Sequence, residues 1–462
     1  MTSKSLSGIG ILLMLLSASA ISQTSSTNKA HDPGLRPGAS AGDPLPGLTP
    51  DELALFKEGQ DRFAEIDKIE NGLGPRMNFN SCLGCHSHPA SGGSGPKENP
   101  QFLFATGPDH GTNTLPYFIT QNGPAREARF KKGPNGLPDG GVHDLFTIAG
   151  MAGVPNTCTI KQPDFAANKN NVIFRIPTPV FGAGLIEQIR DSDIVANLKK
   201  EIPAKNRLQI KGRSNIVISG NTRTSNIITG EINTNGNDGT IARFGWKAQN
   251  KSLLLFAGEA YNVEIGISNE LFQTEREEAC AIPVLRTTPN DGTNAPVAGK
   301  PLAVLSDTEV FAAFMRFLAP PAPSDAVPGA TPASITHGKT IFDQVGCAYC
   351  HTPTLMTDPS SRVGALRNKA ANLYSDLVTH QMGKNLDDGI SQGQAVGNEF
   401  RTAPLWGLGQ RIFFLHDGRT NDLIQAIEEH HGQKSEANMV VRQYRRLSED
   451  DKQDLLNFLR SL

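Results

Sequence analysis

The sequence carries almost no net charge: 44 Lys and Arg stand against 46 Asp and Glu, a formal −2. A nucleic-acid binder needs a strong positive excess, so that class is excluded. After the N-terminal segment no apolar run reaches the length that crosses a bilayer, about 18 residues, which excludes a membrane-spanning mature chain. Aromatic residues are few, 6% of the total and mostly Phe. What is present is a globular composition, 38% hydrophobic and 19% charged over 462 residues, enough for two or three domains. The 46 Gly and 31 Pro point to many turns rather than to disorder.

The first 20 residues have the form of an export signal. Met1 to Lys4 is weakly positive, Ile9 to Leu16 is apolar, and Ala18-Ser19-Ala20 is a small-x-small cleavage site. Cleavage near Ala20 sends the mature chain to the periplasm, an oxidising compartment. No Cys lies near the cleavage site, so a lipid anchor has no support.

Cysteine is scarce as well, and its arrangement carries the main signal. Four of the six Cys fall in two Cys-x-x-Cys-His motifs, Cys82 to His86 and Cys347 to His351. Two thiols at this spacing can form thioethers to the two vinyl groups of one haem, and the next His then ligates its iron. A redox dithiol or half a zinc site would not need the adjoining His. The expectation is two covalent haems c, held by Cys82, Cys85, Cys347 and Cys350, with His86 and His351 as proximal ligands. Cys158 and Cys280 remain, and in an oxidising compartment they most simply form a structural disulfide.

The organisation follows from the motifs. Residues 21–50 read as an extended, Pro- and Gly-rich segment. Thr49 caps a helix that opens at Pro50 and leads to the first haem motif. A short helix from Ser334 leads to the second. Residues 319–333, rich in Pro and Ala, read as a linker between a first haem domain (51–318) and a C-terminal one (334–462). Thr308 to Leu318 looks helical, and Ser448 caps a last helix with an apolar face of Leu455, Leu456, Phe458, Leu459 and Leu462. Leu208 to Gly245 reads as loops and short strands inserted in the first domain. Within it Asn233 to Gly239 resembles an oxygen-rich calcium loop, with a plain turn as the competing reading. The fold class expected is mainly α: two cytochrome c-like haem domains, the first enlarged by irregular and β insertions. A short internal repeat supports duplication: Phe174-Arg175 precedes Phe181-Gly182-Ala183-Gly184, and Phe400-Arg401 precedes Trp406-Gly407-Leu408-Gly409.

Longer motifs carry a family resemblance. Phe400 to Trp406 is followed by Leu415-His416-Asp417-Gly418-Arg419 and then by Leu423 to Gly432. This order resembles the C-terminal haem domain of bacterial di-haem cytochrome c peroxidases. Gly74 to His86 (with Met77 for a Phe), Arg243 to Ala248, and more loosely Val378 to Gly383 (with Gln381 for an Asp) resemble the related di-haem c-type oxidoreductase family, described as peroxidases and also labelled thiol oxidoreductases. The resemblance spans roughly residues 50–462. It implies a distal ligand of the second haem at His430, 14 residues after His416. A bis-His iron would have a lower potential than a His–Met one. His431, Met356 and Met382 are alternatives, and His416 could instead hold a propionate or a carbonyl.

No distal ligand of the first haem stands out, since His88 follows His86 too closely to cross the ring. His110 and His143 are possible ligands or pocket acids. Glu259 and Glu264 are candidates for the acid–base group that O–O cleavage needs, with a surface helix as the competing reading. Trp246 or Trp406 could relay electrons between haems, or simply pack in a core. The function expected is a di-haem oxidoreductase, peroxidase-like, in which the second haem passes electrons to an open first haem that reduces peroxide or oxidises a substrate. The electron donor would be a small protein such as a mono-haem cytochrome or a cupredoxin. Other readings are a non-catalytic electron carrier and oxidative maturation of a partner protein.

Overall fold

The computed structural model describes Met1, residues 29–38, 40–108, 113–216 and 241–273, Cys280, and residues 305–462. The candidate signal peptide beyond Met1, the Asn233 to Gly239 loop and His110 lie outside these residues.

Two helix pairs frame the molecule, and each starts from the same local chemistry. In the helix Pro50–Ala64, Thr49 Oγ1 accepts from the Glu52 N–H while Glu52 Oε2 accepts from the Thr49 N–H. Proline fits the first turn because no N–H is needed there. Phe56, Gly59 and Phe63 form the buried stripe, packed on the helix Asp307–Phe317. Gly59 is the crossing point: a Cβ there would stand 2.5 Å from the Val310 carbonyl and 2.6 Å from Phe314 Cβ.

The second pair repeats this design. The helix Pro332–Val345 is capped by Thr331, not Ser334; Ser334 is the reciprocal partner one turn in. It crosses the C-terminal helix Glu449–Ser461 at Gly338, where a Cβ would overlap the Asp454 carbonyl and lie 2.8 Å from Phe458 Cβ. Alanine in place of a mid-helix glycine normally gains about 1 kcal/mol. Here the collision is with backbone, and overpacking of this kind costs about 1–3 kcal/mol. Gly338→Ala is therefore expected to lower the melting temperature of the loaded protein. A raised melting temperature would argue against the close crossing.

The short internal repeat is also structural. Arg175 and Arg401 each end a strand, Val172–Arg175 and Glu399–Arg401. Gly182 and Gly407 both take left-handed backbone, φ 65° and 73°, to open a short helix. Gly184 and Gly409 both abut a carbonyl of the frame, those of Arg316 and Arg460. Strand pairing among the described residues is limited to five small antiparallel sheets. The architecture is thus mixed, helical with limited sheet, rather than plainly α. The largest sheet orders Val142–His143, Glu127–Phe130 and Val172–Arg175, a region not foreseen as β. Asn215–Ile216 pairs with Ile241–Ala242 at the ends of the stretch that was expected to hold strands.

Packing crosses the expected domain boundary. The first hydrophobic core takes in Leu355, Leu366, Leu373, Leu377, Val378 and Trp406 from the C-terminal part. The second runs from Val327 to Leu462. The first half of the 319–333 stretch is bonded to other segments: Ala319 N–H donates to the Asp43 carbonyl and Ser324 N–H to the Ser461 carbonyl. The extended N-terminal segment straps both units. Arg460 pairs with Asp32 at 2.6 Å, and Leu45 donates to the Phe317 carbonyl. Cys158 and Cys280 are disulfide-bonded, as expected for the two cysteines outside the motifs.

Candidate haem sites

Each Cys-x-x-Cys-His motif opens onto its own cavity. The first is lined by Cys82, Cys85 and His86 together with Phe63, Met315, Trp246, Tyr261 and the carboxyls of Glu127, Glu259 and Glu264. His86 Nδ1 lies 3.0 Å from the Gly93 carbonyl, which fixes Nδ1–H as the donor and leaves Nε2 as the free lone pair. Burial holds this imidazole down at about 4, so it is neutral.

The Gly74–His86 motif positions more than the cysteines. The Asn78 N–H donates to the Glu264 carbonyl at 2.8 Å, and Asn78 Nδ2 donates to the Val263 carbonyl at 3.1 Å. Gly266, with φ +87°, lets that segment pass directly over the Arg76 carbonyl. Glu264 therefore sits on a π-turn, Tyr261–Ile265, that continues the helix Leu253–Ala260 and faces the cavity. Such turns concentrate at functional sites. Burial pushes the Glu264 carboxyl up to about 8, with the Glu127 and Glu259 carboxylates adding to the effect. Burial also raises Glu259, opposed by a hydrogen bond from Asn250. Both glutamates thus line the cavity rather than an open helix surface, on a stretch whose Leu253, Leu255, Ala257, Tyr261 and Ile265 are buried.

The second cavity is lined by Cys347, Cys350, His351, His380, Met382, His416 and His430, with Trp246 and a wall of aliphatic side chains. His351 Nδ1 lies 3.0 Å from the Tyr374 carbonyl and His430 Nδ1 2.7 Å from the Ala426 carbonyl, so both rings keep Nε2 free. Burial holds His351 at about 4 and lowers His430. His416 has its ring stacked on Phe400, 4.3 Å between centroids.

The structure separates the remaining candidates. Met382 reaches the second cavity; Met356 is exposed and His431 does not line it. His143 is outside both cavities, stacked on Phe130 and 2.7 Å from Asp139. His88 is bound to the Gln410 carbonyl. Trp406 is core, packed over Gly182. Trp246 belongs to both cavities, with Nε1 donating to the Ile176 carbonyl at 2.9 Å. His380 was not singled out from the sequence. It lies 2.9 Å from Asp376 and 2.8 Å from Glu436 at the second cavity, and only its place in the Val378 to Gly383 block could have marked it. Among the described residues no cluster of three or more His, Cys, Asp or Glu suits a metal ion.

Paired cysteines beside a buried neutral histidine, on the wall of an apolar cavity, are the donor set of a c-type haem. Buried donors without partners point the same way: Arg175 Nε lies on a residue that lines the first cavity and Arg411 Nε on one that lines the second, and each can donate to a carboxylate. A large apolar ring edged with carboxylates fits both features.

Residues 161–462 match the family model described as "Di-haem oxidoreductase, putative peroxidase", and the chain belongs to that family. Membership implies haem cofactors. The first Cys-x-x-Cys-His motif lies ahead of the matched residues. Solved structures with some likeness include hydrazine synthase of Kuenenia stuttgartiensis, 18% identical over 45% of this chain and 61% of that one, TM-score 0.26. The diheme peroxidase BthA of Burkholderia thailandensis is 17% identical over 47% and 65%, TM-score 0.29. A MauG-like protein associated with microbial copper homeostasis is 14% identical over 59% and 89%, TM-score 0.28. The chain covers less than two thirds of the first two of these. No curated protein matches. No described helix is long and apolar enough to cross a membrane.

Proposed function

We propose that this is an exported, periplasmic di-haem c-type oxidoreductase of peroxidase type, built from two cytochrome c-like haem units. Cys82 and Cys85 would hold the first haem, with His86 as its ligand. Cys347 and Cys350 would hold the second, between His351 and His430. The observation that carries this reading is the asymmetry of the cavities. Among the residues lining the first, His86 is the one histidine, and it shares the space with a buried carboxyl, Glu264. The second brings His430 into the same cavity as His351. The first site would then leave one side of its haem without a histidine, while His351 and His430 would both serve the second.

The bound haems would supply the redox chemistry, electrons entering at the second and peroxide being reduced at the first. Glu264 Oε accepts the proton of a bound hydroperoxide and returns it to the departing oxygen. Glu259 and Glu127 line the same cavity, and their charges raise the proton affinity of Glu264. Trp246, a wall of both cavities, spans the route between them. A small donor protein, a mono-haem cytochrome or a cupredoxin, supplies the electrons.

Electron paramagnetic resonance of the loaded protein, as isolated and half-reduced, tests the reading. One high-spin and one low-spin ferric signal are expected, with the high-spin signal lost on adding hydrogen peroxide. Two low-spin signals indifferent to peroxide would favour an electron carrier instead. His430→Ala is expected to convert the low-spin signal to high-spin; an unchanged spectrum would remove His430 as a ligand.

A further inference from the structure

Two arginines on the second cavity, Arg401 buried and Arg411 half-buried, have no ion-pair partner among the described residues. Arg401, 9% exposed, donates from Nε to the Gly245 carbonyl at 2.9 Å and from Nη1 to the Thr402 carbonyl at 3.3 Å. Arg411 is half-buried, its Nε is buried and unsatisfied, and no described residue pairs with its guanidinium. Both line the second cavity and also the small cavity beside it that Trp246 walls. They are close enough to repel each other, and the one carboxylate that acts on Arg401 is Asp376, already bonded to His380. Burial pushes both guanidiniums down to about 10, and at Arg401 the neighbouring Arg411 adds to the effect.

Several other buried arginines of this chain have a carboxylate partner, although Arg36 and Lys205 are held by carbonyls alone. Arg129 faces Glu127, Arg243 faces Asp191 and Arg460 faces Asp32. The comparison with Arg175 is sharpest, because Arg175 is the repeat counterpart of Arg401. It pairs with Asp388 at 2.7 Å, which also takes Lys247 at 3.1 Å. An unpaired buried charge costs several kcal/mol, and here there are two side by side. The missing partner is an anion that can accept planar, two-pronged hydrogen bonds.

We propose that Arg401 and Arg411 form a carboxylate site that takes the propionates of the second haem and turns their edge of the ring toward Trp246. This rests on reading the second cavity as a haem site. The thioether-forming cysteines Cys347 and Cys350 hold the opposite edge, since vinyl and propionate groups sit on opposite sides of the porphyrin. Arg401 and Arg411 thereby set both the rotation of the ring and its potential, since fixed positive charge favours the reduced iron.

The test uses the loaded full-length protein and Arg411→Gln, Arg411→Lys and Arg401→Gln. Resonance Raman propionate bending bands and the midpoint potential of the low-spin haem are measured, with haem count from the intact mass. Arg411→Gln and Arg401→Gln are expected to shift the bands and lower the low-spin midpoint while leaving the other haem's midpoint in place. Arg411→Lys, which keeps the charge, is expected to restore most of the midpoint and carries the test if the Gln variants do not fold. Unmoved bands and midpoint overturn the proposal. So does a wild-type midpoint that follows added acetate, which would mean a free anion in the site. A wild-type mass short of two haems would show that the haem reading itself has failed, and the proposal with it.

Discussion

Glu264→Gln is expected to slow the reaction with hydrogen peroxide by about 10²- to 10⁴-fold, the usual contribution of a positioned acid–base group. Stopped-flow mixing of the loaded protein with peroxide measures it. Haem content and the low-spin signal should not change, because the variant keeps both cysteine pairs and Glu264 lines the first cavity, not the one that holds His351 and His430. The carboxyl must be ionised to take the first proton. With its pKa held up to about 8 by burial, the wild-type rate should climb with pH and level off above about 8. The variant should lose that limb. A Glu264→Gln rate close to wild type would end the assignment, and Glu259→Gln would be the next variant to try.

The same shift has a stability consequence. The folded carboxyl binds its proton up to about pH 8, whereas the unfolded one releases it near about 4.3. The folded state therefore holds an extra proton across that window. Its contribution is full below the unfolded value and is lost as pH rises through the folded one. Denaturant unfolding of Glu264→Gln should show a weaker loss of stability across that range than the wild type.

Removing both Cys347 and Cys350, as Ser, is expected to have the largest effect on the molecule as a whole. The intact mass should fall by one haem and pyridine haemochrome absorbance by half. The structural cost follows from what walls the cavity. Leu405, Leu408, Phe414, Leu423, Ala426, Tyr444, Leu455 and Leu459 belong at once to the second hydrophobic core and to the cavity lining. Without a haem these side chains face a void far larger than the one left by a single Leu→Ala change, which already costs about 2.7–5.0 kcal/mol. The C-terminal unit should then unfold well below the rest, giving two calorimetric transitions. A variant that keeps its full haem mass would contradict attachment at these cysteines.

What could be read along the chain was local. The two Cys-x-x-Cys-His motifs are defined by spacing within one turn, and spacing survives without a fold. Helix ends at Thr49-Pro50 and Ser448 were legible because a cap is a contact between residues three apart. The same logic failed by one turn at Ser334, where Thr331 and Pro332 offered a better start. The short repeat around Arg175 and Arg401 was visible as residues, yet its meaning was not.

The sequence by itself determined the two Cys-x-x-Cys-His motifs, the helices that lead to them and the family, since each depends on residues near one another in the chain. Only the tertiary structure decided which distant groups share a cavity. It brought Glu264 over a motif some 180 positions earlier through backbone contacts at Asn78 and Gly266. It set Trp246 between the two cavities and sent His143 to the far side of Phe130. It also left Arg401 and Arg411 without an ion pair among the described residues while giving one to Arg175. Burial and long-range pairing are properties of the packed chain: a carboxyl is raised, or a guanidinium left alone, by neighbours that no local pattern records.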